Sequence, residues 1–591
     1  MKTQGKTGLK PENQMKTKWI YNNSLKELNR ETNDYPNIIN DFCRQFNISR
    51  IIAALLVTRG INSIEQADQF LNPALSSLKD PFSLKDMKKA VKRLWQAIIN
   101  KEKILIFGDF DADGVTATSL LVDFFTYIET DVTWYIPHRT KEGYGIQKNH
   151  INMFAEQDID LIITVDCGSG SYEAVKIAAM EDIDIIITDH HEIASPPPSC
   201  AAIINPKQKE CLSDLEHLAG VGVAFYLLMA LRKYLRIKNF WVDIEEPNLL
   251  NYCDLVALGT IGDMVPLKDE NRILSIHGIK VIKKGRRIGI KTLIQVSRIR
   301  IENLDSDDIG FRLIPRINAA GRLSHARICV GHLTSNDRIS SIKTSALLNE
   351  LNLKRQKIEH EIVNDIVARI EKNKQILNKK ILILWDQKWN ASVLGIAASH
   401  LVRKYSRPVI LISTLSDPFT GSCRSINSIN IHDALSVHSN LLERFGGHSM
   451  AAGITICKEN IEKFANAMET YIDMNFDETC FLKSVNIELA IALDKVTFEL
   501  AEQINRLRPF GVGNPEPLFS CKKVRVVSSA IIGLNHRKMV LKDINGVREI
   551  EAFQFNIKNN NDLPMFFKEI AFKIKINRFK PSSPQIIIEY P

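Results

Sequence analysis

Short apolar runs that end in acid punctuate the first third of the chain. Lys103–Phe107 (KILIF) leads to Gly108-Asp109, Asp160–Val165 (DLIITV) to Asp166, and Ile183–Thr188 (IDIIIT) to Asp189. Short runs as apolar as these predict strands buried on both faces. Thr116–Ile128 and Glu173–Met180 carry apolar residues at helical spacing between them. The alternation predicts an α/β fold, a parallel sheet with helices on its faces. Gly220–Leu231 and Leu249–Leu258 predict further helices. Ser340 to about Asn373 keeps helical spacing with dense charge and no Gly or Pro, which predicts one long helix bridging two domains. Lys380–Trp385 (KILILW) restarts a strand–helix pattern that runs to about residue 470. From Lys522 the period becomes two, as in Lys522–Val527 and Ala571–Phe579, which predicts a small antiparallel β domain. Five segments follow: a helical lead-in over 1–85, a catalytic-type sheet domain over 86–337, the connecting helix over 338–374, a smaller α/β domain over 375–475, and the β domain over 476–591.

Composition narrows the class without choosing a function. The 591 residues are 45% hydrophobic and 25% charged, ordinary for a globular protein. No apolar run approaches the roughly 18 residues a membrane span needs, and the Lys-rich start lacks the apolar core of a secretory signal. Ten Cys are scattered without a CxxC pair, which reads as reduced thiols of a cytoplasmic protein. The formal charge is +9, mild for this length.

The chemistry lies in the acidic strand ends: Asp109-Phe110-Asp111-Ala112-Asp113-Gly114, then Asp166-Cys167-Gly168, then Asp189-His190-His191. Ligands of open parallel sheets bind beyond the carboxyl ends of the strands, so these three endings should converge. Clustered Asp and His repel unless cations neutralise them. Oxygen and imidazole donors without thiolate suit Mg2+ or Mn2+. The surplus of donors suggests two ions sharing a carboxylate, the recurring device for hydrolysing phosphoesters. An EF-hand loop also begins D-x-D-x-D-G, but its twelfth position should be Glu and is Leu120 here. Each acid taken alone is more often a turn or cap residue, and only the coincidence of three strand ends favours metal.

At these residues the sequence resembles the DHH phosphoesterase superfamily, named for the triplet present as Asp189-His190-His191. Within it the chain is most similar to bacterial single-stranded-DNA-specific 5′→3′ exonucleases. GDFDADG (108–114), HRTKEGYG (138–145), VDCG (165–168), TDHHE (188–192), GTIGDMVPL (259–267) and PRINAAGRL (315–323) carry the likeness through the sheet domain. NELNLKRQ (349–356), LGIAASHLV (394–402), GSCRSI (421–426), FGGHSMAAG (445–453) and RPFGVGNPEP (508–517) extend it. The resemblance implies a DHH domain, a DHHA1 domain over the second α/β segment and an OB-like C-terminal domain. It implies metal ligation by Asp109, Asp111, Asp113, Asp166, His190 and Asp263, with Asp166 bridging. It implies that His191 contacts the scissile phosphate and that His448 faces the catalytic cleft. Arg139, Ser422 and Arg424 match the family's pocket for a 5′-terminal phosphate. Asn318 and Arg322 fall in a family motif without an assigned part. The implied activity is cleavage of single-stranded DNA to mononucleotides in recombination and repair, by a monomer acting beside a helicase and a single-strand-binding protein. Gly262 departs from the family's usual Ala, and Ser169-Gly170-Ser171 from its usual turn.

Three other readings keep the chemistry or the fold. A phosphodiesterase of short oligonucleotides or cyclic dinucleotides would be a shorter chain. A catalytically dead binding scaffold would have lost ligands, and all are present here. Pyrophosphatases of the superfamily carry His where this chain has Phe107. Gly220–Ala224 (GVGVA) lacks the preceding strand and spaced acid of a dinucleotide loop and reads as the tight start of a helix. Lys283-Lys284-Gly285-Arg286-Arg287 reads as a solvated basic face. Phe553, Phe555, Phe566, Phe567, Phe572 and Phe579 could stack bases or build a core. The charge excess is local: residues 521–591 hold 13 Lys+Arg against 6 Asp+Glu, so the other 520 residues carry a net +2. A basic groove on the β domain would track a phosphate backbone.

Overall fold

The structure is a computed structural model that describes residues 18–21, 37–193, 195–557, 563–577, 580 and 583–591. Phe579 and most of the polar start lie outside the described residues. The chain divides into two compact units. One comprises residues 24–353 and 488–591, the other residues 1–23 and 354–487.

Five parallel strands form the first sheet of the larger unit. Their order is Val132–Tyr135, Ile104–Gly108, Leu161–Val165, Asp184–Thr188, Ala202–Ile204. The first strand in sequence therefore lies between the second and the third, a doubly wound arrangement with a switch point between Ile104–Gly108 and Leu161–Val165. Every residue of those two strands is buried. Alternate side chains feed two cores. Ile104, Ile106, Leu161 and Ile163 face helices Met87–Asn100, Ala112–Tyr127 and Gly220–Ile237, whereas Leu105, Phe107 and Ile162 face Lys148–Ala155 and Tyr172–Met180. Gly108, Val165 and Thr188 stand in register, so the next residues, Asp109, Asp166 and Asp189, emerge side by side.

The C-terminal domain is a closed barrel. Six strands run in the order Leu489–Ala490, Phe519–Ile532, His536–Asp543, Ile550–Gln554, Pro584–Tyr590, Phe566–Ile576, and Phe519–Ile532 pairs back onto Phe566–Ile576. Two pairings are parallel, Leu489–Ala490 with Phe519–Ser520 and Ile550–Gln554 with Pro584–Tyr590, and the rest are antiparallel. Phe567 and Phe572 are core, while Phe555 and Phe566 are about half exposed. Three of the barrel's lysines are paired: Lys573 and Lys575 with Glu516, Lys573 also with Glu589, and Lys538 with Glu551.

The lead-in helices Asn37–Phe46, Arg50–Thr58 and Ile64–Leu71 share one core with this barrel, through Ile39, Phe42, Ile52 and Leu55 against Leu500, Ile504 and Phe572. Arg59 donates to both carboxylate oxygens of Glu488. Arg272, 2% exposed, donates to the carbonyls of Phe70, Leu507 and Arg506, so it joins the lead-in, the sheet domain and the barrel. The basic run 283–287 is not wholly solvated as expected. Arg287 is drawn inward by ion pairs of 2.8 Å to both Asp123 and Asp254, because its fork matches two carboxylates at once.

In the smaller unit, the sheet order is Arg444–His448, Ala451–Ile456, Phe419–Arg424, Val409–Ser413, Leu382–Asp386, with only the last pair parallel. Strand Lys18–Tyr21 pairs in parallel with Ser484–Ile487. The long helix is Arg338–Lys372, 35 residues, and the boundary between units falls within it. All ten cysteines are free thiols. Among the described residues no helix is long and apolar enough to cross a membrane.

Arg272→Ala takes a donor from three carbonyls, of which only Leu507 O keeps another among the described residues, from Asn514. It should lower the stability of the larger unit by about 3 kcal/mol, read from its denaturation midpoint, with a transition of the smaller unit unmoved.

Candidate metal centre

Each acid at the strand ends is placed by its own backbone device. Asp109 directly follows strand Ile104–Gly108 and is 5% exposed. Asp111 caps helix Ala112–Tyr127, its Oδ1 accepting from the N–H groups of Asp113 (2.9 Å) and Gly114 (3.2 Å). The N–H of Ala112 donates to Asn318 Oδ1 at 2.8 Å, which gives Asn318 a part in holding this turn. Asp113 is buried at 1% exposure, where a bare carboxylate would be prohibitive. Helix Gly220–Ile237 answers it: the N–H groups of Gly220 (2.6 Å) and Val221 (2.8 Å) donate to its two oxygens. GVGVA is thus the expected helix start, and it also serves the site. A Cβ on Gly220 would come within 2.7 Å of the Asp166 carboxylate, so only glycine fits there.

Asp166 adopts left-handed backbone (φ 61°) while its N–H donates to Thr188 O at 3.0 Å. A non-glycine residue held so, at the end of a central strand and 2% exposed, stores strain of the kind found at functional sites. His190 Nε2 is the hub of the cluster. It lies 3.1 Å from Asp166 Oδ1, 3.7 Å from Asp263 Oδ2 and 3.9 Å from Asp113 Oδ2. A hydrogen bond with the Leu218 backbone orients the ring.

Three buried atoms here, Asp109 Oδ1, Asp166 Oδ1 and His190 Nε2, have no hydrogen-bond partner among the described residues. Buried polar atoms are nearly always satisfied, so these orphans fit cations. Three overlapping sets of donor atoms each lie within 4.8 Å of one another: Asp109, Asp111 and Asp166; Asp113, His190 and Asp263; Asp166, His190 and His191. Asp166 and His190 are each shared between two sets. Carboxylate oxygens with imidazole suit Mn2+ or Mg2+.

Electrostatics agrees. Burial, then the charge of Asp111, pushes Asp109 well above the carboxylate range, and burial with the charges of Asp113, Asp111 and Asp109 does the same to Asp166. Asp113 is pushed up to about 7 by burial and Asp111, and Asp263 to about 9 by burial, Asp113 and Asp111. Burial holds His190 down to about 3, the neutral form a metal ligand needs. Burial also opposes charge on His191, but its bond to Asp189, reinforced by the charges of Asp189, Asp263 and Asp109, raises it to about 9.

Asp189 is the residue whose part sequence reasoning missed. It is more than one of the strand-end acids: its Oδ1 accepts from His191 Nδ1 (2.8 Å) and from the N–H groups of His190 and His191. Its Oδ2 accepts from Ser169 N–H at 2.9 Å, which gives the unusual turn after VDCG a purpose. Tyr144, inside HRTKEGYG, was also passed over. Its hydroxyl donates to Asp166 O and lies 3.1 Å from His191 Nδ1. The signal for both was the motif itself, without any hint of who touches whom.

Arg139 stands beside this cluster, its guanidinium 4.6 Å from the Phe110 ring centre and within the fields of Asp109 and Asp111. Ser422, Arg424 and His448 belong to the other unit. There Arg424 Nη1 donates to Ser422 Oγ (3.1 Å) and Cys423 O (2.7 Å), and His448 ends the edge strand Arg444–His448, exposed.

Comparison with known proteins agrees with this geometry. The DHH family N-terminal domain matches residues 103–260, the DHHA1 domain 373–474 and the RecJ OB domain 487–590. A Bacillus subtilis protein named single-stranded-DNA-specific exonuclease RecJ is 34% identical over 556 residues, 93% of this chain and 69% of that one. Its namesake from Haemophilus influenzae is 34% identical over 88% of this chain and 93% of its own. A crystal structure of RecJ in complex with Mn2+ from Thermus thermophilus superposes with a TM-score of 0.81 at 25% identity, covering 97% of this chain and 79% of that one.

The raised carboxylates make a pH test. An acid whose folded pKa is raised costs stability once it ionises, so the metal-free centre loses stability as pH climbs from about 4 through about 7 and about 9. Protons and cations compete for the same oxygens. The rise in Tm on adding Mn2+ to chelator-treated protein should therefore be larger at pH 8 than at pH 6. An equal or smaller rise at pH 8 would contradict it.

Proposed function

The chain belongs to the RecJ family of single-stranded-DNA-specific exonucleases, and from that premise we propose that it removes mononucleotides from the 5′ end of single-stranded DNA at a two-cation centre. The observation that carries the reading is the convergence of Asp109, Asp111, Asp113, Asp166, His190 and Asp263 with three buried donor atoms left over. We assign these six as the ligands, with Asp166, central in two donor sets, as the shared carboxylate. Divalent cations in such a cradle supply an activated water at neutral pH and stabilise charge on the phosphate oxygens. The N–H groups of Gly220 and Val221 favour the ionised form of Asp113 and aim it without using protein side chains. Asp189 holds the Nδ1 side of His191 and favours its charged form, which leaves Nε2 to donate to an oxygen of the scissile phosphate.

On the resemblance, Arg139, Ser422 and Arg424 are each assigned to binding a 5′-terminal phosphate, which would set the polarity. An arginine fork suits a doubly charged phosphate, and only a 5′ end would then present its first linkage to the cations. His448 is assigned a part in catalysis on the same resemblance. The barrel's half-exposed Phe555 and Phe566 are sequence-tolerant stacking surfaces for a strand. Action as a monomer in the cytoplasm, with a helicase and a single-strand-binding protein in recombination and repair, completes the proposal.

End-labelled single strands, their duplex and a dinucleotide, each with Mn2+ or Mg2+, test the reading. Cleavage of the dinucleotide with none of long single strands would overturn it. Asp166→Ala should slow cleavage by more than about 100-fold, beyond the effect of disturbing a ligand's neighbours, while strand binding persists in a gel-shift assay. Arg424→Ala should slow a 5′-phosphorylated strand about tenfold more than a 5′-hydroxyl strand, the scale of one charge-assisted hydrogen bond. Equal losses would argue against the terminal-phosphate seat.

A further inference from the structure

The motif RPFGVGNPEP (508–517) takes no part in the reaction proposed above. It leads into the barrel, yet it is built against the turn that follows Asp263. Val512 O accepts from Leu267 N–H at 2.7 Å. A Cβ on Gly511 would lie 2.7 Å from Leu267 Cδ1. Gly513, at φ +73°, would place a Cβ 3.0 Å from Pro266 Cβ and 3.3 Å from Pro266 Cα. Two glycines thus let the main chain of the loop press on the Leu267 side chain and on Pro266.

The loop itself is fastened on several sides. Asn514, 1% exposed, donates to Leu507 O (2.8 Å) and Pro509 O (2.7 Å). Ser306 Oγ donates to Phe510 O at 2.8 Å, and Arg508 pairs with Asp305 at 2.8 Å.

Asp263 needs such support more than its companions do. Asp111 and Asp113 have their carboxylates gripped by backbone N–H groups. Among the described residues no hydrogen bond steadies the carboxylate of Asp263. Its side chain is 23% exposed, against 0% for Asp113 and 3% for Asp166. Its position therefore follows from the backbone that carries it. That backbone leaves helix Cys253–Gly262, with Asp263 N–H on Gly259 O at 2.8 Å, and turns at once through Met264 at φ 62°. Two clamps hold the far side of the turn. Asn271 Nδ2 donates to Pro266 O (3.0 Å) and to His217 O (2.6 Å), and Val512 takes the N–H of Leu267.

We infer that the Gly511-Val512-Gly513 loop is a positioning element for Asp263, through which the β barrel sets the geometry of the donor set formed by Asp113, His190 and Asp263. The inference rests on the assignment of Asp263 as a ligand. Backbone partners of a ligand's own segment act on metal affinity as orienting groups do, on a scale of about 10–100-fold.

The test is a Mn2+ titration of the full-length protein without DNA, following free Mn2+ by electron paramagnetic resonance, over a double-mutant cycle of Gly513→Ala and Asp263→Asn. Gly513→Ala should weaken Mn2+ binding about tenfold and should add nothing once Asp263 is replaced. Gly533→Ala is the control. It also sits at positive φ (+63°) in the barrel, but its nearest neighbour would be His536 at 3.9 Å, and it should bind Mn2+ as the parent does. Unchanged affinity in Gly513→Ala, or the same loss in the Asp263→Asn background, would overturn the inference and leave the ligand assignment standing. Parent-like affinity in Asp263→Asn alone would remove Asp263 from the ligand set and overturn both. Should Gly513→Ala fail to fold, Gly511→Ala enters the same cycle, since its strain is confined to the contact with Leu267.

Discussion

Like charge in a dry place is the constraint on which this structure turns. Asp109, Asp113 and Asp166 are each at most 5% exposed and lie at one end of one sheet. Without compensation they would protonate or push the strand ends apart. The compensation is mostly backbone. The start of one helix is capped by Asp111, and the start of another donates two N–H groups to Asp113. What backbone does not satisfy is a small set of donor atoms suited to divalent cations.

That constraint explains features that otherwise look unrelated. Gly220 is glycine because a Cβ would strike the Asp166 carboxylate. The two histidines of the triplet diverge in character although adjacent. His190 is buried and kept neutral, whereas His191 is held charged by Asp189. The bond to Asp189 raises one imidazole, while burial holds its neighbour neutral. Ser169 and Tyr144 then belong to the site through Asp189 and His191.

The larger unit is knit together by the same economy of backbone contacts. The lead-in helices and the barrel are far apart in sequence but share one core, and Arg272 ties their carbonyls to the sheet domain. Loss of the barrel would therefore open the core it shares with the lead-in helices. The turn after Asp263 would lose the main-chain partner supplied by Val512.

The fold class and the gathering of acids at the strand ends were legible in the sequence because both are local signals. A strand buried on both faces must be apolar throughout, as in Leu161–Val165, and the residue after it must face the open end of the sheet. Family motifs named the six acids and imidazoles without any geometry. The sequence could not show that Gly220 and Val221 serve Asp113, because those partners stand 107 and 108 residues away. Nor could it divide the aromatic run into core and surface, since Phe566 and Phe567 are neighbours and only barrel closure turns one outward and the other in. The basic run at 283–287 read as a solvated face until Asp123 and Asp254 drew Arg287 inward. Composition and period decide which side chains seek cover. Which partner covers them depends on contacts between distant segments, and only the folded chain brings those together.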